Sequence, residues 1–560
     1  MNQQLADLAD RYWDVLMAYA PTWASIIGDH RFDTEMEDMS REREDALIDD
    51  LEGLVGAATG IEPGDLDRDD RITRAVLLSE AEGQIAMART RSAEFLVDPM
   101  LGPHIEMIQT MAQLTPTDTA QGDAFVEKAS KVGLTFDTAL DRLRDGLAAG
   151  RTPPRISIER SLDQIDAYLA SPVESDVWLQ IQPPEGMSDD AVTRWREAMT
   201  AQVREIVRPA VQRYGEFVRT EVLPAGRPPE KSGVCWLPDG EEVYAAGIRH
   251  YTTIDLDPDE VHRIGLDEIA ALEDEYRTMA APLLGTDDIS EIYQRLRTDP
   301  ALRFDTPEQV REQAERALAR AQEASPGWFG LLPGAPCVVI PIPDVGAEES
   351  PLAYYLPPAG DGSRPGMFFI NLSEPTTRTR FESEALAFHE SVPGHHLQLA
   401  LAQEMDLPTF RRNGIVTSYV EGWGLYTERL SDEMGLYSGE VERLGMLSFD
   451  SWRAGRLVVD TGLHHRGWSR QQAIDYLVEN SPQAVNNMTN EVDRYIGYFG
   501  QALAYKMGQR TIVAARRRAE QALGEGFDIK GFHDTVLKDG PVPLDLLDEM
   551  VDEWSASGSA

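Results

Sequence analysis

One short segment and one residue downstream of it carry the side chains best suited to catalysis. Residues 389–398 read His-Glu-Ser-Val-Pro-Gly-His-His-Leu-Gln, and Glu421 follows within Tyr-Val-Glu-Gly-Trp-Gly. Two imidazoles and a carboxylate can occupy three of the four tetrahedral positions around a zinc ion, which leaves the fourth for water. A glutamate beside the first histidine, here Glu390, is placed to accept a proton from that water. The pattern predicts a hydrolytic zinc site with His389 as its first ligand.

The second histidine does not follow at the usual spacing of this motif. In His-Glu-x-x-His the two histidines lie about 40° apart and roughly 6 Å along a helix, on one face. Here Pro393 occupies that position, and the next histidines are His395 and His396. On an ideal helix His395 would point roughly 120° away from His389, and His396 would share its face but lie about 10.5 Å along the axis.

Pro393 and Gly394 predict an interruption of the helix between the histidines. Proline lacks the N–H for the helical hydrogen bond, and its ring clashes with the preceding turn. Glycine adopts backbone angles that other residues resist. A bulge that adds two residues would return His395 to the position of the second ligand. We therefore favour His395 and expect His396 to support the site or contact substrate, although helix geometry leaves the choice open. The alternative is that the adjacent histidines form only a polar helix end.

A second constellation surrounds Glu421, the predicted third ligand. It lies 26 residues after His395, which is enough for the first helix to end, turn near residues 407–408 and return as an antiparallel helix predicted over 416–430. Glu428 shares a face with Glu421 at i+7. We predict that Glu428 binds a ligand imidazole and fixes its orientation. The alternative is a solvated surface carboxylate.

A third constellation is a polar and aromatic stripe on a helix predicted over 490–518. Its members recur at steps of four, three and four residues, with Tyr495 at the edge: Arg494, Tyr498, Gln501 and Tyr505. A phenol or guanidinium can stabilise the oxyanion formed during hydrolysis, and an arginine can bind a carboxylate bidentately. We predict that Tyr498 and Arg494 are catalytic and that Tyr495, Gln501 and Tyr505 support the site or the substrate. The alternative is that the tyrosines are core residues with satisfied hydroxyls.

These motifs together resemble a known family. The strings HExxPGHHLQ, EGW-G-YxE and RYxxxxGQALAYKxG look like domain-of-unknown-function family 885. Its members are bacterial proteins similar in fold to the helical zinc peptidases of the carboxypeptidase Taq, thimet oligopeptidase and angiotensin-converting-enzyme group. The resemblance extends from residues 11–13 to residues 505–508, with Phe499 standing where the family leads us to expect proline.

The resemblance implies a set of roles for the matching residues. His389, His395 and Glu421 would bind one Zn²⁺ per chain, and Glu390 would act as the general base. The implied fold is zincin-like, and the implied activity is that of a metallopeptidase, either a carboxypeptidase or an oligopeptidase.

Composition limits the class of protein. The 560 residues are 42% hydrophobic and 26% charged, as in ordinary globular proteins. The formal net charge of −44 argues against nucleic acids and anionic membranes as partners. Two cysteines, no basic and apolar leader, and no long uncharged apolar segment predict a cytoplasmic protein without membrane spans. We expect a monomer or a homodimer.

The pattern of elements predicts a mainly α fold. Helix starts are indicated by three capping residues, Asp257, Thr306 and Ser469. Short strands are predicted over 338–342, 352–356 and 366–372, in a small sheet at about 336–372 beside the first metal helix. That sheet could offer an edge to an extended peptide or only brace the helix. The length predicts two helical subdomains around a deep cleft, at 1–240 and 241–560, intertwined as one unit.

Three functions fit these features. The first is a zinc-dependent hydrolase of peptide bonds in short peptides. The second is a zinc amidohydrolase of a non-peptide compound or a modified dipeptide. The third is a non-catalytic metal-binding protein, although the glutamate at position 390 weighs against it because a binding site needs no base there.

Overall fold

The computed structural model describes residues 2–342, 351–359 and 364–558. Within these ranges the chain is mainly helical and contains one small sheet, which confirms the predicted fold class at that level. Two parts of the predicted sheet region, 343–350 and 360–363, lie outside the described residues. Of the helices in the described ranges, none is long and apolar enough to cross a bilayer.

The part of the chain before the sheet is a succession of helices of very different lengths. They are α1 Gln3–Tyr19, α2 Pro21–Ile26, α3 Arg41–Thr59, α4 Arg68–Arg89, α5 Pro103–Ile105, α6 Thr119–Ala149, α7 Arg155–Ala170, α8 Val177–Gln180, α9 Asp189–Gln202, α10 Arg208–Phe217, α11 Leu223–Ala225, α12 Gly240–Thr252, α13 Pro258–Leu284, α14 Ile289–Thr298 and α15 Pro307–Ala324.

The second half contains the sheet and the helices that carry the predicted site. The strands are β1 Cys337–Pro341, β2 Ala353–Leu356 and β3 Gly366–Ile370. The helices are α16 Ser383–Glu390, α17 His395–Glu404, α18 Thr409–Asn413, α19 Thr417–Glu433, α20 Glu440–His464, α21 Arg470–Glu479, α22 Val485–Gly497, α23 Ala504–Leu523, α24 Ile529–Leu537 and α25 Leu544–Ala556.

The three predicted capping residues begin helices in the structure. The Asp257 carboxylate accepts hydrogen bonds from two backbone N–H groups at the start of α13, and the Thr306 hydroxyl accepts one at the start of α15. Ser469 and Gln472 form a reciprocal capping box at the start of α21. Each cap satisfies N–H groups that have no partner within the helix.

The sheet has the strand order β1-β3-β2, with β1 parallel and β2 antiparallel to β3. All three strands lie within one or two residues of their predicted positions. Phe368 and Ile370 of β3 are buried in the largest hydrophobic core. The sheet therefore packs on the same core as the helices that follow it.

The helix predicted over 490–518 is wrong as a single element. Helix α22 ends at Gly497, Gly500 adopts a left-handed conformation with φ +82°, and a 3-10 turn over Gln501–Leu503 leads into α23. The N–H of Gly500 donates to the buried Asp460 carboxylate, and a side chain at position 500 would collide with the backbone of Gly247. The chain turns here because tertiary contacts replace the helical hydrogen bonds.

The hydrophobic core joins distant parts of the sequence. The largest cluster unites apolar residues of α1, α3 and α4 with those of the sheet, α16, α17, α19 and the C-terminal helices. A separate cluster is built from residues between 36 and 222. Helix α19 packs along α23, and α13 packs along α20. The division at residue 240 stays a prediction.

Candidate metal centre

Three predicted ligands, His389, His395 and Glu421, converge at one point. The Nε2 atoms of both imidazoles lie 3.5 Å from Oε2 of Glu421, and the three ligand atoms lie within 4.8 Å of one another. A separation of 3.5 Å exceeds that of an ordinary N–H···O hydrogen bond. It is close to the roughly 3.4 Å between two ligands of a tetrahedral zinc ion at ordinary bond lengths. The donor set and its spacing therefore fit such an ion.

The predicted interruption at Pro393 and Gly394 divides the segment into two helices. Helix α16 ends at Glu390 and α17 begins at His395. Gly394 packs so closely that a Cβ there would lie 1.9 Å from the carbonyl oxygen of His389. The Trp423 indole N–H donates to the Pro393 carbonyl at 3.0 Å, which fastens this turn to α19. The break is what brings His395 back beside His389.

His396 lies outside this cluster. Its Nδ1 is 2.9 Å from the Tyr355 hydroxyl of β2, and its Nε2 is 3.1 Å from the carbonyl oxygen of Ala335. Both ring nitrogens are therefore engaged, one with the sheet and the other with the segment that leads into β1. Of the two histidines that helix geometry left open, His395 is the one beside His389 and Glu421.

Glu428 makes the contact that the sequence predicts for it. Its Oε1 lies 2.8 Å from Nδ1 of His389, and both side chains are buried. The carboxylate accepts the Nδ1 proton, so the ring presents Nε2 toward Glu421. Glu428 is not a solvated surface carboxylate.

Glycines of α19 make room for this arrangement. A Cβ on Gly424 would lie 2.7–3.0 Å from atoms of the His389 ring. A Cβ on Gly422 would lie 2.5 Å from the backbone of Gly508, where α19 crosses α23. The Glu-Gly-Trp-Gly string thus combines a candidate ligand with two positions at which only glycine fits without movement.

The imidazoles and carboxylates at this point shift one another's pKa values. Burial disfavours the protonated imidazole, but the Glu421 and Glu428 carboxylates outweigh burial and raise the pKa of His389 to about 9. Burial would also raise the pKa of Glu421, yet the two imidazoles hold that pKa well below its usual range. The two carboxylates thus favour a positive charge at this point, and a divalent cation could supply that charge in place of a proton, with the imidazoles as neutral nitrogen donors.

Glu390 is the last residue of α16 and directly follows His389. Its side chain is partly exposed and makes no hydrogen bond or ion pair within the part of the chain that the structure describes. Its carboxylate is therefore unengaged beside the cluster.

The stripe predicted on one helix is split by the turn at residues 498–500. Tyr505 alone lies beside the candidate centre, with its ring 6.5 Å from the His389 ring and nearly parallel to it. Burial and then the charge of Glu421 raise the pKa of its phenol. Tyr498 instead packs edge-on against Tyr251, with ring centroids 5.2 Å apart, in a cavity that Phe95 also lines.

The other members of the stripe are held by neighbouring polar groups. Arg494 pairs with Glu491 at 2.9 Å and donates to the side-chain oxygen of Gln501 at 2.8 Å. The Tyr495 hydroxyl accepts hydrogen bonds from the Trp452 indole at 2.9 Å and from Nε of Arg456 at 2.7 Å.

Sequence reasoning missed two arginines of α20. The guanidinium of Arg456 lies 4.3 Å from the centroid of the Tyr505 ring, and that of Arg453 lies 5.8 Å from it. Both side chains are buried. The sequence could have indicated these arginines in one way. Residues 444–464 are mostly apolar, and the few charged residues among them are arginines and aspartates. Charged side chains are rarely buried to this extent unless they are paired.

Comparisons with known proteins show which proteins the chain resembles but assign it no activity. No curated protein matches the chain. A solved structure named a "putative lipoprotein" from Colwellia psychrerythraea is 26% identical, with a TM-score of 0.92 over 99% of each chain. A second, a "putative lipoprotein of unknown function" from Shewanella oneidensis, is 18% identical, with a TM-score of 0.75 over 98% of this chain and 99% of that one, and shares the fold. The family model described as "Bacterial protein of unknown function (DUF885)" matches residues 21–551, and the chain therefore belongs to that family.

Proposed function

We propose that this protein is a zinc-dependent hydrolase that cleaves peptide bonds in short peptides. The observation that carries the proposal is the convergence of two imidazoles and a carboxylate from α16, α17 and α19, with an unengaged glutamate next to the first imidazole. His389, His395 and Glu421 would hold the metal. When bound, a zinc ion supplies Lewis acidity that lowers the pKa of water and polarises a carbonyl group.

The protein's own residues supply the remaining chemistry in this proposal. Glu390 accepts a proton from the attacking water and later delivers it to the leaving amine. Glu428 holds the His389 ring in place through Nδ1. Tyr505 takes the role that the sequence assigned to Tyr498 and Arg494, because it is the residue of the stripe that lies beside His389. A tyrosine phenol is protonated at neutral pH, so it can donate a hydrogen bond to an oxyanion.

The same proposal includes the finer architecture. A zincin-like arrangement, in which two helical subdomains flank a cleft that admits the peptide, would place the substrate against α16 and α19. The partly exposed Glu421 and Glu390 side chains favour access of a substrate from one side.

The test compares Glu390→Gln with the wild-type protein. We expect Glu390→Gln to retain its zinc and to lose at least about 100-fold in turnover, since removal of a general base costs this much or more. Metal content and hydrolysis of a panel of dipeptides, oligopeptides and N-acyl amino acids are measured together. Glu549→Gln, which changes an exposed carboxylate of α25, serves as the matched control. Full turnover by Glu390→Gln would refute the assigned role.

The panel also separates the substrate classes. Cleavage of peptides supports the proposal, whereas selective cleavage of N-acyl amino acids or modified dipeptides would indicate an amidohydrolase. A protein that binds zinc tightly but cleaves none of the panel would be a metal-binding protein without turnover.

A further inference from the structure

Arg453 carries a buried positive charge that no residue within 2–342, 351–359 and 364–558 neutralises by direct contact. Its side chain is 4% exposed, and its Nε and Nη1 atoms are buried without a hydrogen-bond partner. Among the described residues its guanidinium makes no ion pair. It lies over the faces of three aromatic rings, at 4.5 Å from Phe449, 4.2 Å from Trp452 and 5.8 Å from Tyr505.

Such a group is costly unless something else binds it. Aromatic faces attract a cation but accept no hydrogen bonds from its N–H groups in the plane of the guanidinium. A buried guanidinium whose Nε and Nη1 lack hydrogen bonds has lost the hydration that those groups have in water without a replacement in the protein. The nearby Glu428 carboxylate affects the pKa of Arg453, but its Oε2 is itself without a hydrogen-bond partner. Glu428 therefore does not satisfy Arg453.

The neighbouring arginines differ in how many of their N–H groups have hydrogen-bond partners. Arg494 is held by Glu491 and Gln501. Arg456, one turn after Arg453, binds Tyr495 and Glu491 but leaves its buried Nη1 without a partner. The donors that lack a partner are thus on Arg453 and Arg456, whereas those of Arg494 are occupied.

The position of these donors relates them to the candidate centre. Both guanidiniums contact the Tyr505 ring, and that ring stacks on His389. They are therefore one side chain away from the imidazole. A substrate whose scissile carbonyl lay at the centre would bring the group on an adjacent residue into their reach.

We propose that Arg453, assisted by Arg456, binds a carboxylate of the substrate, so that the enzyme prefers peptides with a negative charge next to the scissile bond. The inference rests on the proposed peptidase function. A guanidinium binds a carboxylate through two parallel hydrogen bonds, which matches its planar shape. The attraction must be local, because the net charge of −44 repels anionic substrates at long range. The carboxylate is either the C-terminus of the peptide or an acidic side chain.

The experiment measures binding without turnover and hydrolysis in parallel. Binding is measured by calorimetry on zinc-loaded Glu390→Gln protein, with and without Arg453→Met. The probes are N-acetyl-alanyl-alanine, its C-terminal amide, and the amide of N-acetyl-alanyl-glutamate. Hydrolysis of unblocked peptides with the same three C-terminal endings gives KM and kcat for the wild-type protein and for Arg453→Met. Arg316→Met, at an exposed site on α15, is the control.

We expect Arg453→Met to weaken binding of carboxylate probes and to raise their KM by 10-fold or more, with the neutral amide changed less than about threefold. These values follow from the loss of one charge-assisted pair. If Arg453→Met weakens binding of the probe with a free C-terminus, the protein recognises peptide ends. If it weakens binding of the glutamate amide, the protein recognises acidic side chains. Arg453→Lys keeps the charge without the planar fork, so we expect an intermediate affinity for the same probe. This variant keeps the test decisive if Arg453→Met does not fold.

Two outcomes overturn the inference. One is an equal loss for neutral and carboxylate probes, which would assign Arg453 a structural role beside Glu428. The other is an unchanged affinity for both kinds of probe. Failure of the proposed function is distinct from these outcomes: carboxylate probes would bind in an Arg453-dependent manner while the wild-type protein cleaved no peptide.

Discussion

At the scale of single residues, the His389 imidazole depends on its neighbours for its orientation. Glu428 accepts from Nδ1 at 2.8 Å, and Gly424 leaves the space that the ring occupies. These contacts leave Nε2 directed toward Glu421. A residue outside the candidate ligand set can therefore control how well a metal would be bound.

Replacement of Glu428 by glutamine tests this control. We expect Glu428→Gln to weaken zinc affinity about 10- to 100-fold, because the ring loses the charged acceptor that fixes its orientation and raises its basicity. Affinity is measured by competition with a zinc chelator of known stability. Glu549→Gln should bind zinc as the wild-type protein does. An unchanged affinity in Glu428→Gln would show that the contact is not needed for binding.

Replacement of Tyr505 by phenylalanine tests the proposed oxyanion donor. We expect Tyr505→Phe to keep its zinc and to lose about 100-fold in kcat, as when one such donor is removed from other hydrolases. Steady-state kinetics on a cleaved peptide provide the measurement. The opposite pattern, in which Tyr498→Phe loses activity and Tyr505→Phe does not, would favour the assignment made from sequence.

Part of the site could be predicted from sequence because it is local. His389, Glu390 and Glu421 have side chains and spacing that indicate metal chemistry, and the Pro-Gly pair directed the choice to His395. Glu428 followed from helical periodicity. Arg453 and Arg456 could not be predicted from spacing, since their approach to Tyr505 depends on how α20 packs against α23.

At the scale of elements, the site helices are joined by buried ion pairs as well as by apolar contacts. Asp450 of α20 binds Lys506 of α23 and Arg429 of α19, and Arg429 also binds Glu275 of α13. Helices α19, α20 and α23 therefore meet at the Asp450 carboxylate, and α13 is joined to them through Arg429. Loss of one member of a buried pair leaves the others uncompensated.

The pKa of Asp450 predicts how this junction responds to acid. Burial would raise it, but Lys506 and Arg429 outweigh burial and lower the pKa to about 2. Because that value is below the roughly 3.9 of an unfolded aspartate, the ionised carboxylate stabilises the fold fully above about pH 5. This contribution is lost as the pH falls from about 4 through 2.

The variant Asp450→Asn isolates that contribution. We expect it to be less stable than the wild-type protein by about 2–3 kcal/mol at pH 7, with a difference that shrinks as the pH falls below 4. Denaturant unfolding of both proteins across this pH range gives the difference. Asp49→Asn, at an exposed position of α3, should show little difference at any pH. If the stability difference between Asp450→Asn and the wild-type protein instead grew as the pH fell, the predicted direction of the pH dependence would be wrong.

Elements with local signals were predicted well, and those set by tertiary contacts were not. Caps and the three strands have sequence signals of their own, so their positions were predicted closely. The helix over 490–518 was wrong because its periodicity continues through Gly500, whereas the buried Asp460 carboxylate binds the Gly500 N–H and turns the chain. Periodicity predicts which face of a helix a residue would occupy, but it contains no information about a distant hydrogen-bond partner such as Asp460.

At the scale of the whole molecule, the largest core connects the N-terminal helices to the helices of the candidate centre. The chain as a whole has a net charge of −44, whereas the side chains near Tyr505 include the buried arginines Arg453 and Arg456. The absence of nucleic acid and membrane partners, the monomeric or homodimeric state and the cytoplasmic location stay predictions from composition. Because the three candidate ligands lie on three helices of this connected fold, a bound cation would stabilise the folded chain over the unfolded one.

The zinc content of the purified chain tests the central claim most directly. Protein prepared without chelator is dialysed against micromolar zinc and its metal is quantified by mass spectrometry, for the wild-type, Glu390→Gln and His389→Ala proteins. We expect one zinc ion per chain in the first two and none in His389→Ala, because that variant loses a ligand from a three-residue site. A wild-type chain that retains no zinc, or a His389→Ala chain that retains as much as the wild type, would contradict the account.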